Sequence, residues 1–171
     1  MKFTWTLASL PLAFASFFWI AGALLDPHYR IADSLQLEAT SESIWERLSN
    51  VEDYPRWRSD LIKVSVSSVD PSINPSLNWI EIDSTGAAIS FSNAASDSLR
   101  KWICRYKYGN RSPLFSRVVL VVPIENGETQ VAVTEDGRIA NPIDRFRYRF
   151  ISGYSESLTR FLVDLRKGLG E

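Results

Sequence analysis

The chain has 171 residues with 19 basic and 20 acidic side chains, so its net charge is close to zero and its length suits a single domain with a core. Basic clusters of the kind that neutralises phosphates are confined to one short run, so we expect no nucleic-acid partner. The single cysteine and single histidine, without HxxxH, CxxC or HExxH spacing, argue against a zinc or histidine-based active site, and no metal or cofactor is predicted.

Residues 3–25 form an apolar run of 23 positions without a charged side chain. As a helix, the run spans about 35 Å, which matches the hydrocarbon core of a bilayer. The run therefore predicts a transmembrane helix. A cleaved secretory signal is the alternative, because Ala21, Gly22 and Ala23 form an A-x-A pattern, although signal peptides usually have shorter apolar runs of roughly 7 to 15 residues.

Two domains follow from this interpretation. Residues 1–26 are the anchor or signal segment, and residues 27–171 are the ligand-binding domain. Lys2 precedes the apolar run, which favours a cytoplasmic N-terminus. We therefore expect a single-pass membrane protein whose globular domain lies on the outer, periplasmic or extracytoplasmic, side.

Alternation of apolar and polar residues predicts seven strands, with two short helices after the first. The strands are predicted at Ile31–Ala39, Lys63–Val69, Leu77–Ser84, Ala87–Asn93, Leu99–Lys107, Leu114–Val122 and Glu128–Asp136. The first helix is predicted at Ser41–Asn50, and Pro55 separates it from a second that ends near Leu61. Six consecutive strands without intervening helices favour an antiparallel meander.

The last predicted element is one long amphipathic helix from Asn141 to Leu169. Asn141 is a favoured N-cap residue, and Pro142 suits the first helical position. Apolar residues then recur at steps of three and four and form one stripe, namely Ile143, Phe146, Phe150, Tyr154, Leu158, Phe161, Leu165 and Leu169. Because this stripe needs a cover, we predict an α+β fold in which a seven-stranded antiparallel sheet curves around the helix.

Four segments, in their order and spacing, resemble the START-like or SRPBCC superfamily in its polyketide cyclase/dehydrase and lipid-transport branch. They are Leu35–Trp45, Glu52–Arg58, Trp79–Glu81, and Thr134–Gly137 followed by Asn141, Pro142 and Arg145. The resemblance implies a helix-grip fold with a hydrophobic cavity between the sheet and the C-terminal helix. It also implies binding of lipids, sterols, quinones or polyketides, and in a few members cyclisation. The apolar N-terminus resembles a membrane-anchored bacterial subgroup.

Glu135 and Arg147 are predicted to face this cavity. Glu135 shares a strand face with Val131 and Val133, so we expect it to turn inward. There it would bind a ligand, act as an acid or pair with an arginine. Because an α-helix turns by about 100° per residue, the position of Arg147 falls within the apolar stripe. Its guanidinium would bind a carboxylate or phosphate of a ligand, pair with a buried glutamate, or extend outward to solvent.

Trp79 and Glu81 share one strand face, and Ile80 and Ile82 share the other, so either face could be the inner one. If Trp79 faces inward, Glu81 becomes a second cavity carboxylate, and paired carboxylates often serve as acid/base groups. The alternative is a sheet tryptophan with an exposed glutamate. Several aromatic residues could line the cavity or simply fill a core, namely Phe91, Trp102, Tyr106 and Tyr154.

These observations predict a monomer that is anchored to a membrane through residues 3–25 and binds or transfers a hydrophobic small molecule or lipid. Its predicted ligand-binding residues are Trp79, Glu81, Phe91, Trp102, Tyr106, Glu135, Arg147, Phe150 and Tyr154, and no catalytic residue is assigned. A second hypothesis is a polyketide cyclase- or dehydratase-like enzyme that uses the cavity carboxylates or a tyrosine. Enzymatic activity stays open, with non-catalytic binding favoured. A third hypothesis is an interaction domain whose cavity is filled by its own side chains.

Overall fold

A computed structural model describes residues 5–67, 77–97, 99–109, 114–152 and 156–171. The chain divides into two compact units by its contacts. One, the helical unit, comprises residues 1–29 and 138–154, and the other, the sheet unit, comprises residues 30–137 and 155–171. The division into residues 1–26 and 27–171 stays a prediction.

A seven-stranded antiparallel sheet is the largest element, as the sequence predicts. Its strands are β1 His28–Leu37, β2 Leu61–Ser67, β3 Asn78–Asp83, β4 Ala88–Asp97, β5 Lys101–Tyr108, β6 Phe115–Pro123 and β7 Thr129–Arg138. In space their order is β1-β7-β6-β5-β4-β3-β2. β4 continues past the predicted end at Asn93, because an irregularity between Asn93 and Ala95 shifts its register against β5.

The inner face of the sheet follows from period-two burial. On β6 the buried residues are Phe115, Arg117, Val119 and Val121, and on β7 they include Val131, Val133 and Glu135. The turn between these strands contains Gly127, whose φ of 81° suits a residue without a Cβ. The hairpin register then pairs Arg117 directly with Glu135.

The described residues form five α-helices, namely α1 Trp5–Ala23, α2 Ser41–Ser49, α3 Tyr54–Trp57, α4 Pro142–Arg147 and α5 Glu156–Leu169. Thr40 caps α2 by accepting a hydrogen bond from the Ser43 amide. Pro55 lies in the first turn of α3, where its missing N–H costs no helical hydrogen bond. The two predicted short helices after the first strand are thus confirmed.

The apolar stripe of α5 is buried in the sheet unit. Its buried members are Leu158, Phe161, Leu162 and Leu165. The ring of Phe161 meets Trp57 of α3 edge-on, with 5.8 Å between centroids. Asp164 fixes the same contact, because its Oδ2 accepts hydrogen bonds from the amide and the hydroxyl of Ser59, both at 2.8 Å.

The prediction of one regular helix from Asn141 to Leu169 is wrong in its first half. The Asn141 cap is confirmed, since its Oδ1 accepts from the Ile143 amide at 3.0 Å. However, α4 ends at Arg147 and a π-helical turn occupies Tyr148–Ser152. The wider turn of a π-helix changes the phase of the residues, so the predicted stripe is not continued.

In the helical unit, the end of α1 packs closely on the start of α4. A Cβ added to Gly22 would lie 1.7 Å from the carbonyl oxygen of Pro142, so only glycine fits there. Within the part of the chain that the structure describes, we find no helix with the length and apolar character needed to cross a membrane. The transmembrane helix predicted over residues 3–25 is therefore not supported.

Candidate functional site

The candidate site is the interior of the sheet unit, between the inner face of the sheet and α5. A cavity of about 10 Å³ remains there, which is room for about one water molecule. Its walls come from the helices and from β3 to β6, through Leu48, Tyr54, Arg58, Trp79, Glu81, Phe91, Trp102, Cys104, Arg117, Val119 and Phe161. Among the described residues, side chains therefore fill most of the predicted space between the sheet and α5.

Glu81 is the centre of one buried polar cluster. Its two carboxylate oxygens accept hydrogen bonds from Trp79 Nε1 and from Arg58 Nη1, each at 2.9 Å. Arg58 also donates from Nε and Nη2 to the two oxygens of Asp60, at 3.1 and 2.7 Å. Asp60 is partly exposed, so the guanidinium bridges the interior and the surface.

Arg117 and Glu135 form the second buried cluster, on neighbouring strands. Arg117 donates from Nε and Nη2 to one oxygen of Glu135, at 3.1 and 2.9 Å. Its guanidinium carbon lies 5.4 Å from the centre of the Tyr106 ring and 5.3 Å from that of Phe161. Phe161 also lies 5.7 Å from the guanidinium carbon of Arg58, so one α5 ring contacts both cations.

These surroundings set the protonation states of the interior. Burial by itself lowers the pKa of Arg117, but Glu135, Tyr106 and Cys104 together outweigh burial and hold the arginine pKa well above its ordinary value. For Arg58, burial likewise opposes Glu81 and Asp60, and the net shift of the pKa is upward. Burial raises the pKa of Tyr54 and raises that of Cys104 to about 12. Both arginines are therefore charged, and the thiol and the phenol are neutral.

An aromatic stack crosses four strands beside these clusters. Paired residues on β3, β4, β5 and β6 stack in sequence, with centroid distances of 5.1 Å from Trp79 to Phe91, 5.0 Å from Phe91 to Tyr106 and 5.2 Å from Tyr106 to Phe115. Trp102 meets Trp79 edge-on at 6.4 Å. The interior therefore combines flat apolar walls with paired charges.

Six of the nine predicted site residues lie buried in this interior, namely Trp79, Glu81, Phe91, Trp102, Tyr106 and Glu135. The inner face of β3 is thus the one with Trp79, and Ile80 is on the outer face. That these six bind a ligand stays a prediction.

Of the remaining three predicted site residues, the structure describes Arg147 and Phe150, and both are exposed. Arg147 is exposed and lies over the ring of Tyr148 at 5.2 Å, so its predicted inward direction is wrong. Phe150 is 63% exposed, so its predicted place in the cavity is also wrong. For Phe150 the cause is the π-turn, which breaks the helical phase after α4. Arg147 lies within α4, before that turn, and its face is exposed because Ile143, one turn earlier, is exposed as well. Tyr154 lies outside the described residues.

The residues that the sequence analysis missed are the arginines. The partners of Glu81 and Glu135 are Arg58 and Arg117, and neither is Arg147. The two-residue periodicity of a strand would have identified Arg117, because it lies on the same buried face of β6 as Phe115 and Val119. No periodicity marks Arg58, which follows the short helix α3.

The chemistry of this arrangement is that of matched charge. The two innermost carboxylates each bind a guanidinium, and the Tyr54 hydroxyl donates to the Leu48 carbonyl at 2.7 Å. Within the described ranges, no group of three or more His, Cys, Asp or Glu residues is placed to hold a metal ion. The interior therefore presents guanidinium donors and aromatic rings to any molecule that lies between the sheet and α5.

Known proteins resemble this chain in fold and not in sequence. No family model matches, and no curated protein matches. The Zhui aromatase/cyclase from a Streptomyces species aligns with a TM-score of 0.68 at 13% identity, over 84% of this chain and 94% of that one.

Two further solved structures align over a similar length. A START superfamily protein from Mycobacterium smegmatis has a TM-score of 0.62 at 15% identity, over 82% of this chain and 97% of that one. Truncated norcoclaurine synthase from Thalictrum flavum has a TM-score of 0.66 at 12% identity, over 84% of this chain and 94% of that one. The chain therefore has the fold that START-superfamily structures share, which is consistent with the predicted helix grip.

Proposed function

We propose that the sheet unit binds a hydrophobic small molecule between its sheet and α5, with Arg58 and Arg117 holding an oxygen of that molecule. The observation that supports this is the burial of two Arg–Glu pairs against the aromatic stack. Buried ion pairs usually contribute less stability than apolar residues of similar size would. A core that keeps two of them is thus better explained by recognition than by stability.

The charges of the interior favour an uncharged ligand. Arg58 and Arg117 balance Glu81 and Glu135, so an added carboxylate or phosphate would leave an excess buried negative charge. A carbonyl or hydroxyl oxygen accepts from a guanidinium without that cost. The preferred ligand class is therefore flat or lipidic, with neutral oxygen groups.

A second candidate, an interaction domain with a filled interior, is favoured by the cavity volume of about 10 Å³. Ligand pockets usually enclose roughly 300 Å³ or more. Under the binding proposal, α5 must therefore move away from the sheet to admit a ligand. Under the filled-interior candidate, no such movement is needed.

Extraction and binding measurements on the full chain separate the two candidates. We expect mass spectrometry of an organic extract to detect a co-purifying hydrophobic molecule, and the neutral dye Nile red to bind saturably and be displaced by that extract. The double variant R117M/E135M should bind the dye at least ten-fold more weakly, because it removes the donors while keeping the volume. The exposed pair variant R160M/E156M is the matched control and should bind normally. No extracted molecule and no saturable dye binding would favour the filled interior.

The enzymatic alternative receives less support from the described residues, since Glu81 and Glu135 are each held by an arginine. Two of the aligned structures are an aromatase/cyclase and a synthase, but the likeness extends only to the fold. The test is product formation from a polyketide-like substrate. Turnover that falls in E81Q or E135Q while Nile red binding is retained would favour catalysis.

Attachment to a membrane, with the sheet unit on the outer side, is also part of the proposal. Its support is the uncharged run of residues 3–25. We expect the full chain to sediment with membranes, and a reporter fused after Glu171 to be active only outside the cytoplasm. Reporter activity in the cytoplasm would overturn the proposed orientation.

A further inference from the structure

The helical unit exposes an unusual number of large apolar side chains. On and just after α1 they are Phe14, Phe17, Trp19, Ile20 and Leu24. On the second segment of the unit, residues 143–151, they are Ile143, Phe150 and Ile151. Phe150 and Ile151 are 63% and 73% exposed. Extended apolar surfaces of soluble proteins usually mark an interaction site.

The two segments form one continuous surface within this unit. Phe18 of α1 meets Phe146 of α4 edge-on, with ring centroids 4.9 Å apart, and Phe146 meets Phe150 at the same distance. Phe14 extends the chain of rings at 6.4 Å from Phe18. The exposed residues of the π-turn therefore belong to the same surface as those of α1.

Arg145 fixes the relative position of these segments. Its guanidinium donates to the carbonyl oxygens of Leu25, Ile139 and Ala140, at 3.2, 2.7 and 2.8 Å. Leu25 follows α1, so one side chain joins the end of α1 to the start of α4. These hydrogen bonds hold the apolar residues of the two segments in one fixed arrangement.

The charges around this surface are mostly positive. The described residues of the helical unit include four arginines and two aspartates, and Lys2 adds a further cation to the sequence of the unit. Arg147 and Arg149 are exposed within the second segment itself. Aromatic and aliphatic side chains beside arginines are typical of helices that lie in the interface of an anionic bilayer.

We propose that residues 143–151 contact the surface of an anionic lipid bilayer together with α1, so that two segments, distant in sequence, attach the chain to lipid. Phe150 and Ile151 enter the boundary between headgroups and acyl chains, and Arg147 and Arg149 bind lipid phosphates. The inference adds a second contact to the proposed attachment through residues 3–25. It does not depend on ligand binding in the sheet unit.

A fluorophore on residue 151 tests this contact directly. The full-length I151C variant can be labelled selectively with an NBD maleimide, because Cys104 is buried and its pKa is raised to about 12. With vesicles of phosphatidylcholine and phosphatidylglycerol, we expect a blue shift and a several-fold rise in NBD emission. The matched control is V163C, at an exposed apolar position of α5, whose emission should not change.

Three results would overturn the inference. The first is that the chain floats with the vesicles while the label at position 151 keeps the emission spectrum that it has in water. This result would leave α1 as the sole contact. The second is failure to float with either neutral or anionic vesicles. The third is a blue shift without vesicles that grows with protein concentration and accompanies dimerisation, which assigns the surface to a second copy of the chain.

The charged half of the contact has its own variant. R147E/R149E should abolish the preference for vesicles containing phosphatidylglycerol, and R160E on α5 is the control of equal charge change per residue. An unchanged preference in R147E/R149E would contradict the role of these arginines. A lost preference in R160E as well would show a general charge effect and would equally contradict it.

Discussion

Arg117 and Glu135 are a cross-strand pair whose stability depends on both members being present. Removing only the arginine leaves a buried carboxylate without its cation, which typically costs about 3–5 kcal/mol. We therefore expect R117M to lower the free energy of unfolding by this amount in urea denaturation. R117M/E135M should be at least as stable as the parent chain, because two apolar side chains replace the desolvated charges.

The control for this prediction is the exposed pair of Glu156 and Arg160 on α5. R160M should change the free energy of unfolding by less than about 0.5 kcal/mol, since solvent screens the charges. If R117M is as mild as R160M, the Arg117 pair is open to water in solution and the interior is not closed.

Cys104 makes stability depend on pH in the alkaline range. Its pKa is raised by burial from 9.0 to about 12, so the folded chain keeps the proton that the unfolded chain loses. This contribution is complete below pH 9 and is lost as the pH rises toward 12. Within this window, each unit of pH lowers the free energy of unfolding by about 1.4 kcal/mol.

The measurement is urea unfolding between pH 9 and pH 10, below the ordinary pKa of 10.0 of tyrosine, because Tyr54 also has a raised pKa. C104A should have a smaller loss of stability over this range than the parent chain. Equal losses in the two proteins would show that the thiol ionises readily in the folded state.

Sequence reasoning about single residues succeeded where a strand determined the direction. Period two placed Trp79 and Glu81 on one face and Glu135 beside Val131 and Val133, and all of these are buried. The same rule would have found Arg117. Helical periodicity failed for Arg147, because it places a residue on a stripe without showing whether that face is buried, and α4 exposes both Ile143 and Arg147. It failed for Phe150, because the π-turn at Tyr148–Ser152 breaks the regular repeat that the prediction assumed.

Among the elements, α5 depends on its close crossing with α3. A Cβ added to Gly168 would lie 2.8 Å from Cβ of Trp57, nearer than ordinary contacts allow. We expect G168A to lower the free energy of unfolding by about 1–3 kcal/mol, since the two helices must separate to fit a methyl group. K167A, at the exposed neighbouring position, should change it by no more than about 0.5 kcal/mol. Similar melting temperatures for the two variants would mean that α5 ends before this crossing.

The elements themselves were mostly predictable, because their signals are local. Seven alternating runs became seven strands in the predicted order, and the breaks at Pro55 and Gly127 hold in the structure. The long C-terminal helix was predicted as one element because its apolar spacing continues through Phe150. Spacing alone does not distinguish a stripe buried on a sheet from a stripe exposed on a separate unit.

At the scale of the whole sheet unit, the side chains packed between the sheet and α5 constrain the proposed binding. Under that proposal, the space of about 10 Å³ among the described residues requires α5 to separate from the sheet before a ligand enters. In stopped-flow experiments, we expect the observed rate of Nile red binding to reach a plateau with dye concentration. D164N should raise the plateau, because weaker hydrogen bonds to Ser59 let α5 separate more often.

The exposed variant E156Q, on the same helix, is the control for this measurement and should keep the parent plateau. A rate that rises linearly with dye concentration in the parent chain would contradict an opening step. It would indicate a pocket that is already open in solution.

Local patterns in the sequence were enough for the α+β class, the order of strands and helices, the inward direction of Glu135 and the apolar N-terminus. These features follow from short-range periodicity, caps and breaks, which neighbouring residues specify. Packing across the fold is what pairs Arg58 and Arg117 with Glu81 and Glu135, fills most of the space between the sheet and α5 among the described residues, and joins residues 142–152 to α1 in a separate unit. Those outcomes depend on contacts between residues far apart in the chain, which local patterns do not encode.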